Sequence, residues 1–207
     1  SALLVVLPNC AKDYQVINIF GRENVSVSGG QIIGDRKEHK GSGGEHGHGI
    51  SVRGGTNITI ENVDISQCWG DGIYVGFYDG PNTPSNGVTV TNCNLHHNRR
   101  NNMSITDASN VTVNNCSFNY ANGTDPQFGI DIEPNKNRTC KNVTISNSTF
   151  KGNAKGTIQI LGQLNAHVNG VKIESCKGIS APVQWQGFGG SVSGVKEINN
   201  NWNWNGN

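Results

Sequence analysis

Asp131 and Glu133 stand two residues apart in the run Phe128-Gly129-Ile130-Asp131-Ile132-Glu133-Pro134-Asn135. Ile130 and Ile132 alternate with them, so the run reads as a short strand with one apolar and one acidic face. Residues two apart on a strand project to the same side, roughly 6.5–7 Å apart along the chain. Carboxylates held that close repel and raise each other's pKa. Such a pair suits glycosidic bond cleavage, in which one carboxyl protonates the leaving oxygen and another acts as base or nucleophile. Asp131 could pair with Glu133 or with Asp71.

Other reactive side chains precede comparable strands, in His46-Gly47-His48-Gly49, Trp69-Gly70-Asp71-Gly72 and Arg99-Arg100-Asn101-Asn102. Arg99 or Arg100 could neutralise a uronic acid carboxylate while His48 or Tyr74 moves a proton at C5, which is elimination or epimerisation. His46, His48 and Asp71 include ligand types for a metal, but the histidines adjoin a glycine-rich loop, and no metal or other cofactor is expected. The plainer alternative is a solvated ladder of surface ion pairs between the acidic strand and Arg99 and Arg100. The charged run from Asp35 to Glu45 reads as a solvated loop, with a mobile lid as its rival. Gly47, Gly49, Gly70 and Gly72 would permit tight turns and close ligand approach. His96 and His97 are expected on another side.

A repeat positions these groups. Asn/Gly-Val/Ile-x-Val/Ile recurs at Asn24, Asn57, Gly87, Asn110, Asn142 and Gly170, at intervals of 23–33 residues. A second short apolar strand follows each of the first five, and a third strand precedes the next start. Three strands per repeat fit one turn of a right-handed parallel β-helix of about six to seven coils, an all-β solenoid. Asn and Gly belong at its bends, where left-handed backbone is needed or side chains can ladder. Aligned third strands place Ile50, Ile73, Met103, Ile130, Ile158 and Val183 inward. Ser51, Tyr74, Ser104, Asp131, Gln159 and Gln184 then face outward. With coils about 4.8 Å apart, the reactive groups span about 15 Å of one edge. Insertions at 35–48, 77–85 and 119–127 could wall a groove there. Residues 1–198 are read as the β-helix domain. Residues 199–207, rich in Asn and Trp, are read as a tail unlike the coils that covers the end of the solenoid.

Composition bounds the function. Charged residues make up 15% of the 207, aromatics 7%, and the net charge is +1. That balance gives no argument for nucleic acid or an anionic membrane. No apolar run is long enough to span a bilayer. The opening Ala2-Leu3-Leu4-Val5-Val6-Leu7 resembles a strand cut from a longer protein. Cys93, Cys116 and Cys176 recur in register and read as small side chains stacked in a column. Cys10, Cys68 and Cys140 lie off it.

The repeated Asn-Val-x-Ile and Gly-Ile-x-Ile segments resemble those of the pectate-lyase-like, right-handed β-helix proteins, over nearly the whole chain. Gly47-His48-Gly49 is similar to the Gly-His-Gly of polygalacturonases, although here it precedes rather than follows Gly70-Asp71-Gly72. Phe128-Gly129-Ile130-Asp131-Ile132-Glu133 is similar to the Tyr-Gly-Phe-Asp-Pro-His-Glu of C5-epimerases. Segments 69–74, 99–102 and 129–135 together resemble a bacterial and phage subgroup. The resemblance implies an extracellular protein, secreted, on a cell surface or on a virion, with a polysaccharide partner, and leaves open a homotrimer such as tailspikes form. The reading carried forward is a polysaccharide-cleaving enzyme, hydrolase ahead of lyase or epimerase. Asp71, Asp131, Glu133 and His48 are its catalytic candidates, with Tyr74, Arg99, Arg100, His46 and Trp69 as its substrate-binding candidates. Its rival is a non-catalytic glycan-binding adhesin or tail-fibre module.

Overall fold

The computed structural model of the chain describes residues 2–178 and 183–203. Its strands form three seven-stranded parallel sheets, each drawing one strand from every coil, so the molecule is a parallel β-helix of seven coils. Among the described residues no helix is long and apolar enough to cross a membrane. The first sheet runs from Leu3–Val5 through Asp64–Ser66 and Asn94–His96 to Lys177–Gly178. The second contains Asp13–Phe20, His46–Arg53, Ile73–Gly76, Met103–Ile105, Phe128–Ile132, Gly156–Gln163 and Val183–Phe188. The third runs from Ser26–Ser28 to Ser191–Ile198.

The bends explain the Asn and Gly of the repeat. Every repeat start has positive φ: 56° at Asn24, 54° at Asn57, 70° at Gly87, 56° at Asn110, 52° at Asn142 and 78° at Gly170. Asn and Gly tolerate that left-handed geometry better than other residues. Their amides also ladder between coils, with Asn110 Nδ2 donating to Asn86 Oδ1 at 2.8 Å and Asn142 Nδ2 to Asn110 Oδ1 at 3.2 Å. A further start, at Gly194, continues the third sheet and pairs Val195 with Val171. Sequence reading passed over it because Glu197 takes the place of the aliphatic residue, opposite Ile173.

Inside, identical positions stack in register. Ile50, Ile73, Met103, Ile130 and Ile158 pair in sequence along the second sheet, as the alternating pattern requires. Phe118 and Phe150 stack with ring centroids 5.2 Å apart. Burial of each such side chain contributes about 1.5–3 kcal/mol. All six cysteines are free, and Cys93, Cys116 and Cys176 are buried in one column with Ser148, as their spacing suggested. The last expected third strand began at Pro182, outside the described residues; the observed strand starts at Val183.

Residues 199–203 run on beside the preceding coil. Asn200 Oδ1 accepts the Cys176 N–H at 2.9 Å, Asn201 bridges to Lys177, and Trp202 packs edge-on against Phe150 with centroids 6.3 Å apart. Trp204 and the residues after it lie outside the described residues.

Candidate active site

The outward face of the second sheet carries the reactive groups. Strand pairing sets Ser51, Tyr74, Ser104 and Asp131 side by side on successive coils. Gly76 occupies the next outward position beside Tyr74. A Cβ there would come within 2.4 Å of Thr106 Oγ1 and 2.7 Å of the Tyr74 ring. The missing side chain lets the Tyr74 phenol fold across to Thr106, whose hydroxyl donates to it at 2.8 Å. A cavity of about 200 Å³ opens here, walled by His46, Tyr74, Arg100, Asp131, Glu133 and Lys136, with Gln163 and Leu164 closing one side. A larger apolar hollow of about 350 Å³, beside Leu7 and Pro8, lies by the first coil and away from these groups.

Asp131 is only 2% exposed although it lines the cavity. The acidic face expected at the surface is thus largely withdrawn from water at Asp131. Asn101 Nδ2 donates to Asp131 Oδ2 at 3.2 Å, whereas Asp131 Oδ1 has no protein partner among the described residues. Burial first, and then the Glu133 carboxylate, push the Asp131 carboxyl well above its ordinary range, and Arg100 offsets only part of this. Burial also raises Glu133, against the pull of Arg100. The two carboxyls therefore titrate as a pair, and burial favours the protonated form at Asp131. Gln163 Nε2 donates to Glu133 Oε1 from the far wall.

Asp71 and His48 lie behind the cavity, both fully buried. Asp71 accepts from Arg100 Nη1 at 3.2 Å and from the Asn101 N–H at 2.9 Å. Burial works against the Arg100 cation, but Asp71, Asp131 and Glu45 outweigh it and leave its pKa raised. Glu45 approaches Arg100 Nε at 3.4 Å. His48 Nδ1 accepts the Asp71 N–H at 3.1 Å, and its ring stacks on Tyr74 with centroids 5.0 Å apart. Burial lowers its pKa to about 4, with Asp71 opposing, so at neutral pH the ring is uncharged and carries its proton on Nε2. Burial likewise raises the Tyr74 phenol. The His46 ring meets His48 edge-on at 5.7 Å, and among the described residues no group of three or more His, Cys, Asp or Glu could hold a metal.

Arg99 and Trp69 do not line the cavity. The Arg99 guanidinium lies 3.8 Å over the Trp69 ring, and its Nη1 donates to the Gly44 carbonyl at 2.7 Å. His39 stacks on Trp69 at 3.8 Å, and Trp69 Nε1 donates to the Gly43 carbonyl at 3.1 Å. Asp35 joins this stack, accepting from the Tyr14 hydroxyl at 2.6 Å and lying 2.7 Å from His39 Nδ1. The run 35–45, expected to be solvated, is therefore pinned to the solenoid by buried Asp35 and His39. The neighbouring glycines serve this packing rather than ligand approach. A Cβ on Gly47 would come within 2.7 Å of the Tyr14 ring, and one on Gly70 within 2.4 Å of the Glu45 carbonyl. His96 lies on the first sheet, 3.4 Å from Asp64, away from the cavity.

Residues 15–194 match the family model described as "Right handed beta helix region". The chain belongs to the right-handed β-helix family. It is 37% identical over 174 residues to the uncharacterized protein YclG of Bacillus subtilis, which covers 75% of the chain and 30% of that protein. It is 36% identical over 189 residues to the SPbeta prophage-derived uncharacterized protein YorA of the same organism, covering 82% of the chain and 31% of the relative. The chain thus spans about a third of the length of these relatives. Among solved structures, the tailspike protein gp49 of Acinetobacter baumannii bacteriophage Fri1, a capsular polysaccharide depolymerase, aligns over 89% of the chain and 43% of its own. The TM-score is 0.53 and the identity 18%. Alginate lyase from Paenibacillus aligns over 94% of the chain and 71% of its own, at a TM-score of 0.55 and 16% identity. At these identities the likeness is one of fold.

Asn101 is the site residue that sequence reading missed. It looks like an ordinary bend asparagine in Arg100-Asn101-Asn102, and nothing local distinguishes it. Gln163 is the last residue of its strand and Lys136 and Leu164 follow theirs, beyond the positions that the strand alignment compared.

Proposed function

We propose that this β-helix cleaves a polysaccharide chain by hydrolysis at the Asp131–Glu133 pair, outside the cell or on a virion. The observation that carries the reading is a buried Asp131 in the lining of an open cavity, with one oxygen unclaimed by protein, where burial favours the protonated carboxyl. In the proposed step Asp131 gives its proton to the glycosidic oxygen as the C–O bond breaks. The Glu133 carboxylate takes a proton from the water that adds to the anomeric carbon. One water is consumed and the pair returns to its singly protonated state by proton transfer between the two carboxyls. Asn101 and Arg100 act as positioning residues, and Asp71 with His48 hold Arg100 and Tyr74 in place. Elimination is less well served. Tyr74, a base for C5, has a raised pKa, and His48 is sealed behind it.

Incubation with a panel of bacterial capsular and plant polysaccharides tests the proposal. New reducing ends without ultraviolet-absorbing unsaturated sugars are expected, and Asp131→Asn abolishes them while the β-sheet circular dichroism is kept. Unsaturated products would replace hydrolysis by elimination. Bound glycan with no product from the wild-type protein would replace the enzyme by an adhesin.

A further inference from the structure

A second group of side chains lies along the same face, nearer the first coil. Phe20, Arg53 and Gly76 pair in register across successive coils, and Thr106 and Glu133 follow in the same row. Arg53 therefore stands three coil steps from Glu133, about 14 Å along the solenoid. Its guanidinium carbon sits 5.4 Å over the Phe20 ring and 4.9 Å over the Tyr74 ring. Its Nε donates to the buried Ser51 hydroxyl at 3.2 Å. Three contacts thus immobilise a half-buried cation.

Among the described residues the arginine has no counter-ion. Arg99 and Arg100 spend an Nη on the Gly44 carbonyl and on Asp71, and Arg138 spends one on Asn82. Among the described residues no protein acceptor takes an Nη of Arg53, and no carboxylate forms an ion pair with it. A guanidinium fork held in one orientation with both Nη groups open matches the geometry of a carboxylate. Pre-organisation lowers the entropic cost of that contact. Beside it, Phe20 and Tyr78 stand with ring centroids 5.9 Å apart, and Tyr78 is exposed at the foot of the 77–85 loop. An aromatic surface next to a free cation fits a sugar ring that bears an acid group.

We infer that Phe20, Arg53 and Tyr78 form a remote subsite for a carboxylate-bearing sugar, so that the chain bound at the Asp131–Glu133 pair is an acidic polysaccharide. This rests on the glycan-binding groove of the preceding proposal but not on its chemistry. Two or three sugar units separate the subsite from the pair, because a pyranose unit advances a chain by about one coil step.

Affinity electrophoresis through gels containing polygalacturonate, alginate or hyaluronate tests the subsite, each polymer set against its carboxyl-reduced counterpart. The Asp131→Asn protein is used so that the polymers stay intact. It is expected to be retarded by at least one polyuronate about tenfold more strongly than by the reduced polymer, the worth of one charge-assisted contact. Arg53→Gln in that background brings the ratio towards one, and Arg53→Lys, which keeps the charge but loses the fork, restores part of it. Near-ultraviolet circular dichroism checks the fold, and Arg53→Lys alone is read if Arg53→Gln does not fold. Equal retardation by both polymers, a ratio that survives Arg53→Gln, or no retardation by any polyuronate overturns the subsite. Product assays with the wild-type protein are read separately. Arg53-dependent retention without product would leave the subsite and remove the hydrolase, whereas product without Arg53 dependence would do the reverse.

Discussion

Asn101 Nδ2 reaches Asp131 Oδ2 at 3.2 Å, across one coil step. The same asparagine accepts the Phe128 N–H on Oδ1 at 2.9 Å and gives its own N–H to Asp71 at 2.9 Å. One residue thus ties Asp131 Oδ2 to the neighbouring coil and leaves Oδ1 without a protein partner among the described residues. Its hydrogen bond also draws the Asp131 pKa down, against burial. Asn101→Ala therefore raises that pKa further and moves the alkaline limb of the pH–rate profile upward. It also costs about 1–3 kcal/mol of stability, since Phe128 N–H is left unpaired in the interior. A pH–rate profile beside a urea titration reads both effects, and an unmoved alkaline limb contradicts the positioning role.

The raised Asp131 pKa has a consequence for stability. The folded chain holds a proton there that the unfolded chain has released above its ordinary carboxylate pKa. Stability is therefore greatest at acid pH and falls as pH rises through the folded value. Asp131→Asn removes this loss. The variant is expected to melt higher than the wild type at pH 7, with the gap narrowing towards pH 4, as calorimetry would record.

His48 slopes the other way. Its folded pKa of about 4 lies below the usual 6.5, so the unfolded chain binds a proton first as pH falls. Stability from this group is lost between about pH 6.5 and 4. His48→Gln should flatten that part of the stability–pH curve in chemical denaturation. Retention of the full wild-type slope would assign the loss to another group.

Asp71 is the buried anion under Arg100. Asp71→Ala leaves that cation uncompensated in a mostly dry setting and is expected to cost about 3–5 kcal/mol. The double change Asp71→Ala with Arg100→Met should recover much of it, because the stranded charge is then gone. A double-mutant cycle in urea measures the difference.

The solenoid and its register were legible because both rest on local chemistry. Asn or Gly marks each left-handed bend, and alternate Val and Ile mark the inward face, so Ile130 could be set beside Met103 from sequence. The packing of 35–45 was not legible, because Asp35 finds Tyr14 and His39 finds Trp69, partners drawn from different coils. The spacing that made Arg99 and Arg100 equivalent candidates also could not tell them apart. Adjacent residues at a bend point to different sides, and only Arg100 faces the carboxyl pair.

The amide ladder on the outer bends ties the lifetime of the molecule to slow chemistry. Asn110 both gives a hydrogen bond to Asn86 and takes one from Asn142. Its spontaneous deamidation would turn a donor into an anion facing the Asn86 carbonyl oxygen, replacing attraction by repulsion between coils. Ageing of the rod would then begin at its outer corners, while the apolar stack within remained intact.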